Sequence, residues 1–274
     1  PVDLRAAALS VYADLLRYRD LFGSLFRRDL QARYKGSALG VLWSLANPVL
    51  LMAIYVVVFS TLWKANFAQV DHYALFLLSG LAPWVFFSSS LTAAARSMLD
   101  SANLIRKTRF PRQLVPLSVV GANLVSFAVM LVGLLGLNFV LLPRVRATEW
   151  LALPLAALVV CLTGGLAIAV ASLNVLFRDV EHLTQALLLP WFFLTPILYP
   201  LGNAGPLARH PHVVEAIHWL NFISPAVEAL RAPLYAGRLP RLADVVYLVA
   251  AAAVSLALGA FVFSRVDDRL AVEL

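Results

Sequence analysis

Residues able to do chemistry are few in this chain, and the densest group of them is cationic. The segment "NLIRKTRFPRQLVP" (103–116) carries Arg106, Lys107, Arg109 and Arg112, interleaved with Leu104, Ile105 and Phe110 and punctuated by Pro111 and Pro116. Such a mixture suits a short docking helix, with the apolar residues as contacts and the cations as a polar rim. Membrane topology alone would account for the charges but not for the apolar residues among them. A second group, "NVLFRDVEHLTQ" (174–185), sets Arg178 beside Asp179. That pair reads equally well as an interhelical ion pair at a helix end and as a contact with a partner.

The machinery of catalysis is missing from the sequence. There is no GxxxxGK[ST] loop to cradle nucleotide phosphates and no HExxH or GxSxG. Asp71, Glu149, Glu215 and Glu228 are scattered, so no catalytic residue is assigned. Cys161 is the only cysteine, which excludes an intrachain disulfide and a cysteine-based zinc cluster. The "HPH" at 210–212 could bind a metal but reads better as a solvated loop, so no metal site is expected.

The elements that position these residues follow from composition. The 274 residues are 61% hydrophobic and 14% charged, with a mean hydropathy of +0.82. A soluble domain of this size could not cover its surface from such a pool, so the chain is read as an integral membrane protein. Windows nearly free of charge mark six spans, at about 41–63, 73–95, 113–142, 151–173, 183–200 and 243–264. The stretch 213–235 is too interrupted, by Asn221, Ser224, Pro225 and Glu228, to be a seventh. It is expected to form a re-entrant pair of short helices, with Ser224-Pro225 as N-cap and first-turn residue of the second and Gly237 as its stop.

Lys and Arg divide about two to one in favour of the side that holds both termini, which places that side in the cytoplasm. The net charge of +7 is therefore mainly a topological signal, and nucleic acid is not an expected partner. The N-terminal stretch has charges throughout and does not read as a signal peptide. Residues 9–28 have helical periodicity: Leu15, Tyr18, Phe22, Leu25 and Phe26 share one face, with Arg17, Asp20, Arg27 and Arg28 opposite. That helix is expected to lie in the membrane interface, apolar face down. "NP" at 47–48 predicts a kinked first span; the alternatives are a helix starting at Asn47 and a proline simply tolerated near the membrane surface. Gly36 and Gly40 form a weak GxxxG signal.

The spans contain essentially no Asp, Glu, Lys or Arg, which argues against an ion-driven transporter. Whatever the chain moves, the driving work is expected from outside it. Aromatic residues crowd the span ends, as in "PWVFF" (83–87) and "PWFFLTP" (190–196). An aromatic belt at headgroup level explains most of them; ring faces also slide along the C–H faces of sugars. Trp43, Tyr55, Phe59, Trp84, Phe87, Trp191, Phe192 and Tyr199 are the candidates for lining such a path.

Taken together, "RDLQARYKGSALGVLWSLANPVLLMAIYVVVFS" (28–60), "FLLSGLAPWVFF" (76–87), "NLIRKTRFPRQLVPL" (103–117), "LFRDVEHL" (176–183) and "PILYPL…NFISPAVEALRAPLYAG" (196–237) resemble the membrane subunits of type-2 ABC exporters for polysaccharides and polyol phosphates, the O-antigen exporter permeases most of all. The resemblance implies an all-α, six-span permease that forms a single domain over 1–274, with a cytoplasmic interface helix (1–35), a span core (36–264) and a cytoplasmic tail (265–274). It implies a homodimer in the bacterial inner membrane, two copies of a separate ATPase that holds ATP and Mg, no cofactor in this chain, and a lipid-linked polysaccharide as substrate. Carried onto this sequence, Leu104, Ile105, Arg106, Lys107, Arg109 and Phe110, with Arg178 and Asp179, couple to the ATPase. Arg28, Arg33 and Lys35 admit a pyrophosphate-linked glycan, and Val227, Leu230 and Leu234 form an extracellular gate. The alternatives are a lipid, drug, teichoic-acid or capsule exporter of the same superfamily, a polyprenyl-phosphate-dependent glycosyltransferase, and a passive channel or scaffold.

Overall fold

Lipid offers no partner to a backbone N–H or C=O, so long apolar runs close their hydrogen bonds within themselves as helices. The computed structural model describes residues 17–32, 43–58, 72–108, 110–141, 147–201 and 211–273, and among them there is no strand. The helices are α1 (Arg19–Ala32), α2 (Trp43–Val57), α3 (Tyr73–Asp100), α4 (Ala102–Lys107), α5 (Leu114–Leu141), α6 (Ala152–Leu176, entered through a 3-10 turn at Glu149–Leu151), α7 (Asp179–Leu194), α8 (Pro211–Leu220), α9 (Ser224–Leu234) and α10 (Leu242–Glu273).

Four of these are long and apolar enough to cross a membrane: α3, α5, α6 with its 3-10 turn, and Leu242–Asp267 of α10. The expected first and fifth spans are shorter, with 15 residues in α2 and 16 in α7. At 1.5 Å per residue each covers about 22–24 Å, less than the ~30 Å of hydrocarbon. Residues flanking α2 on both sides, including Gly36 and Gly40, lie outside the described residues. Helix α7 stops because Thr195 is extended (ψ 135°) ahead of Pro196, which disfavours helical geometry in the residue before it. Helix α2 runs through positions 47 and 48, so the helix does not begin at Asn47.

Helix α3 is the central mast. Its most apolar window is 83% buried, against 22% for α5 and 28% for α10, which therefore form the outer layer among the described residues. It packs against α5, α6, α7 and α9. Helices α6 and α10 make the closest pair: a Cβ on Gly165 would run into the Ser255 backbone, and one on Gly259 into Gly165. Ser255 Oγ donates to the Leu162 carbonyl at 2.6 Å, which joins the pair by a hydrogen bond as well as by close backbone approach.

The interior divides into two apolar clusters. The larger holds Phe86, Phe87 and Phe127 of α3 and α5 together with Ile223, Ala226 and Leu230. The smaller lies at the end where α4 sits and gathers Met98, Ile105, Val115, Ile168, Ala171, Val175, Ala260 and Phe263.

Helix α1 makes a contact that its periodicity does not identify. Its apolar face is laid on protein, with Leu25 buried and the Phe22 and Phe26 rings within ordinary contact of the space beside Gly121 of α5. Gly121 leaves the flat surface that two rings can cover, so part of the apolar face of α1 is taken up by a helix-on-helix contact.

Candidate functional site

Two constellations stand at opposite ends of α3. At the first, α3 turns into α4 at Ser101, which is C-cap of one helix and N-cap of the other. Ile105 is buried in the smaller cluster and Phe110 packs against it, while Leu104 is half-buried. Arg106 and Lys107 occupy the last turn of α4 and are exposed. The apolar residues expected to touch a partner are thus partly turned inward: Ile105 and Phe110 anchor α4 to the bundle, and Arg106 and Lys107 are what it presents. Arg109 lies outside the described residues.

Arg178 and Asp179 share this end, both exposed, and form no ion pair with each other. The charge contact that joins helices there is Arg96 of α3 with Glu181 of α7, at 3.6 Å. Behind it stands Asn174, fully buried in the last turn of α6. Its Nδ2 donates to the Ala95 carbonyl at 2.8 Å, and its Oδ1 accepts the Glu181 N–H at 2.8 Å. The second bond satisfies one of the orphan N–H groups in the first turn of α7, a capping role taken by a side chain from the preceding helix. Phe177 is extended and 62% exposed at the corner between α6 and α7.

Of the residues expected to admit substrate, Arg33 and Lys35 lie outside the described residues. Arg28 is committed within the chain: it donates to Asp29 Oδ1 (2.9 and 2.7 Å) and to Ser101 Oγ (3.2 Å). Ser118 of α5 donates to the other Asp29 oxygen at 2.5 Å. These bonds tie α1 to the α3–α4 corner and to α5. Arg112 adds a further tie, donating to the Asp267 carbonyl (2.6 Å) and Oδ1 (2.9 Å) of α10.

At the other end, the expected path aromatics sort into separate environments. Trp84 and Phe87 are buried within the chain. Phe87 meets Trp191 edge-on at 5.7 Å, Trp191 meets Phe222 at 4.8 Å, and Trp84 lies 5.7 Å from Phe192. This aromatic cluster fixes α7 and the α8–α9 junction to α3. Trp191 Nε1 donates to Asn221 Oδ1 (2.8 Å) and Asn221 Nδ2 to Thr195 Oγ1 (2.9 Å), which completes the joint. Tyr55 is half-buried, Trp43 is 40% exposed, and Tyr199 donates from its hydroxyl to the Phe193 carbonyl at 3.1 Å, near the end of α7. Phe59 lies outside the described residues. Between α7 and α8 opens an apolar cavity of about 760 Å³, lined by Leu187, Trp191, Leu194, Val213, Ile217 and Leu220 among others.

The expected gate residues Val227, Leu230 and Leu234 are at most 1% exposed, packed into the core in this conformation. Helix α9 starts at Ser224 and ends near Gly237 (φ 61°) as expected, but Ser224 does not cap it: the N-cap is Ile223. Ser224 Oγ instead meets His218 Nδ1 (3.2 Å), and His218 Nε2 meets Asp244 Oδ1 (2.8 Å). All three are buried, so one polar chain links α8, α9 and α10. Asp244 lies in the first turn of α10, at the end of the last span.

Sequence reasoning also missed Arg231, which it singled out for no role. It is 3% exposed, paired with Glu228 (2.5 Å) and stacked 3.8 Å over the Phe76 ring of α3. The available signal was its i,i+3 spacing from Glu228 on an otherwise apolar helix.

The sequence pattern of the family described as "ABC-2 type transporter" matches residues 20–235. The chain is 36% identical over 251 residues to the "O-antigen export system permease protein RfbA" of Myxococcus xanthus, covering 89% of this chain and 90% of that one. It is 37% identical over 182 residues to a protein of the same description from Klebsiella pneumoniae, covering 66% and 69% of the two chains. The "Polysialic acid transport protein KpsM" of Escherichia coli is 22% identical over 185 residues, 66% of this chain and 70% of that one.

Proposed function

The chain belongs to the ABC-2 type transporter family, and from that premise we propose that it is the permease subunit of an ATP-driven exporter that passes a lipid-linked, O-antigen-like polysaccharide across the bacterial inner membrane. Similarity over nearly the full length of an O-antigen export permease is the observation that carries the reading. Identities of 36% and 37% to O-antigen permeases, against 22% to a polysialic acid transporter, favour the O-antigen class among glycans.

In this reading α2 and α7 complete six spans, both termini are cytoplasmic, and the whole chain is one permease domain with α1 as its interface helix. Two copies pair, and each binds one cytoplasmic ATPase, which holds the ATP and Mg. The ATPase docks at the α4 end, on Arg106, Lys107 and Arg109, with Arg178, Asp179 and the exposed Phe177 beside them. Anchorage of Ile105 and Phe110 in the smaller cluster supports this, since a helix that transmits force must be fixed to what it moves. At the other end α8 and α9 are the re-entrant pair, supported by the packing of α9 on α3, α6 and α10 and by the hydrogen bonds of α8 to α10 through His218 and Trp219. Val227, Leu230 and Leu234 close the outer gate there while they are packed inward.

The test is reconstitution. The chain and its ATPase together in liposomes should move a lipid-linked glycan only with ATP. Uphill export by the chain alone would overturn the proposal.

A further inference from the structure

A buried guanidinium in a membrane protein is unexpected unless it does something that apolar packing could not. Arg231 is such a group, in the third turn of α9: its pairing with Glu228 stays within α9, and its other contacts reach the Phe76 ring of α3 and the Ile197 carbonyl beyond α7. Nη1 donates to Glu228 at 2.5 Å, Nη2 donates to the Ile197 carbonyl at 3.3 Å, and the guanidinium lies 3.8 Å over the Phe76 ring. Gly80, one turn along α3, leaves the room: a Cβ there would collide with the Nη2 group. Phe76 is held from the other side by Tyr235, edge-on at 5.5 Å, and the neighbouring Tyr73 hydroxyl donates to the Leu198 carbonyl at 2.7 Å. Nε is left without a partner among the described residues.

Stability alone does not explain this arrangement, because apolar residues of similar volume commonly do as well or better than a buried ion pair. What the charge adds is a directional clasp, planar against Phe76 and forked between Glu228 and Ile197. Helix α3 is the buried mast of the fold, and its far end turns directly into α4 at Ser101. We propose that Arg231 is a positioning residue that clasps α9 to α3, so that the α8–α9 pair moves as one body with the helix whose other end carries α4. The inference rests on the reading of α4 as the ATPase contact and of α8–α9 as the outer gate.

The test uses the permease–ATPase complex in liposomes, in a Cys161→Ser background, with Leu220→Cys as a reporter on the exposed face of α8 (84% exposed). Labelling of that thiol by a membrane-impermeant reagent is timed with and without ATP, alongside ATP hydrolysis and glycan export. With Arg231 present, ATP should change the labelling rate by about twofold to thirtyfold, the range of mutationally sensitive coupling. In Arg231→Met the change should vanish while ATP hydrolysis stays within about twofold; Arg231→Lys, which keeps the charge but not the planar fork, should restore part of it. Phe76→Leu, which leaves the ion pair intact, should weaken the response in the same direction and serves if Arg231→Met does not fold. An unchanged labelling response in these variants, or loss of hydrolysis and response together, overturns the clasp. Export by the unsubstituted complex reports separately on the proposed function: labelling that responds to ATP without glycan export would sink the substrate and leave the clasp standing.

Discussion

At the residue scale, Asn174 shows how much one amide can organise. Its two bonds reach α3 and α7 from α6, and both partners are main-chain groups that cannot reorient to find substitutes. Asn174→Ala should destabilise the detergent-purified chain by about 1–3 kcal/mol, since a buried donor and acceptor lose their partners together. Asn174→Asp keeps the acceptor for Glu181 but buries a carboxylate against the Ala95 carbonyl, so it should be no better than Ala. Chemical unfolding of the three proteins measures this, and equal midpoints would contradict it. Legibility in the sequence differed by residue for physical reasons. Exposed cations such as Arg106 and Lys107 could be read from composition, because nothing but solvent or a partner competes for them. Arg231 and Asp244 could not, because their burial depends on α8 and α9 folding back, a tertiary event without a local periodic signature. Arg28 failed in the opposite sense: its charge was legible, but its partners Asp29 and Ser101 lie on its own helix and at a distant corner.

At the element scale, α4 separates anchoring from presentation within six residues. Ile105→Ala removes a buried side chain from the smaller cluster and should cost about 2–5 kcal/mol of stability. Arg106→Ala with Lys107→Ala should leave stability within about 0.5 kcal/mol, as surface changes do, yet weaken ATPase assembly or coupled export. Unfolding midpoints and co-purification read the two effects apart; the assignment fails if the double alanine variant assembles and exports normally. Helices α6 and α10 supply a second case. Gly165→Ala forces a methyl group into the Ser255 backbone and should cost about 1–3 kcal/mol, measurable as a lowered unfolding midpoint. Long charge-free runs made α3, α5, α6 and α10 easy to see in the sequence. The 3.6-residue pattern also revealed α1, but not what its apolar face covers, because lipid and a glycine-flattened helix select the same side chains. The stop at Thr195-Pro196 was written in the sequence, yet hydropathy carried the expected fifth span across it to residue 200.

At the scale of the whole molecule, α7 is the element the single chain leaves unfinished. None of its residues is buried, and Leu183, Leu187, Leu189, Phe193 and Leu194 are each at least 50% exposed. Its contacts hold both ends: Glu181 in the first turn meets Arg96 and Asn174, and at the other end Trp191, with Thr195 just beyond, meets Asn221. A helix held at both ends whose leucines and Phe193 stay exposed between them must be covered there either by acyl chains or by a second copy, and these covers differ in order. Lipid keeps no register, whereas a paired protein holds each residue opposite a fixed neighbour. In a homodimer built on α7, single cysteines at Leu189 and Phe193, one turn apart on the same face, should form disulfide-linked dimers in membranes. The native Cys161 is exposed and must first be replaced by serine for the result to be read. Leu153, 71% exposed near the start of α6, serves as the lipid-facing control and should not cross-link. Linkage at Leu189 or Phe193 but not at Leu153 would place α7 at the interface between copies, next to the 760 Å³ apolar cavity it shares with α8. Equal linkage at all positions would signal random collision, and none at either α7 position would leave that face to lipid and remove α7 from any shared path.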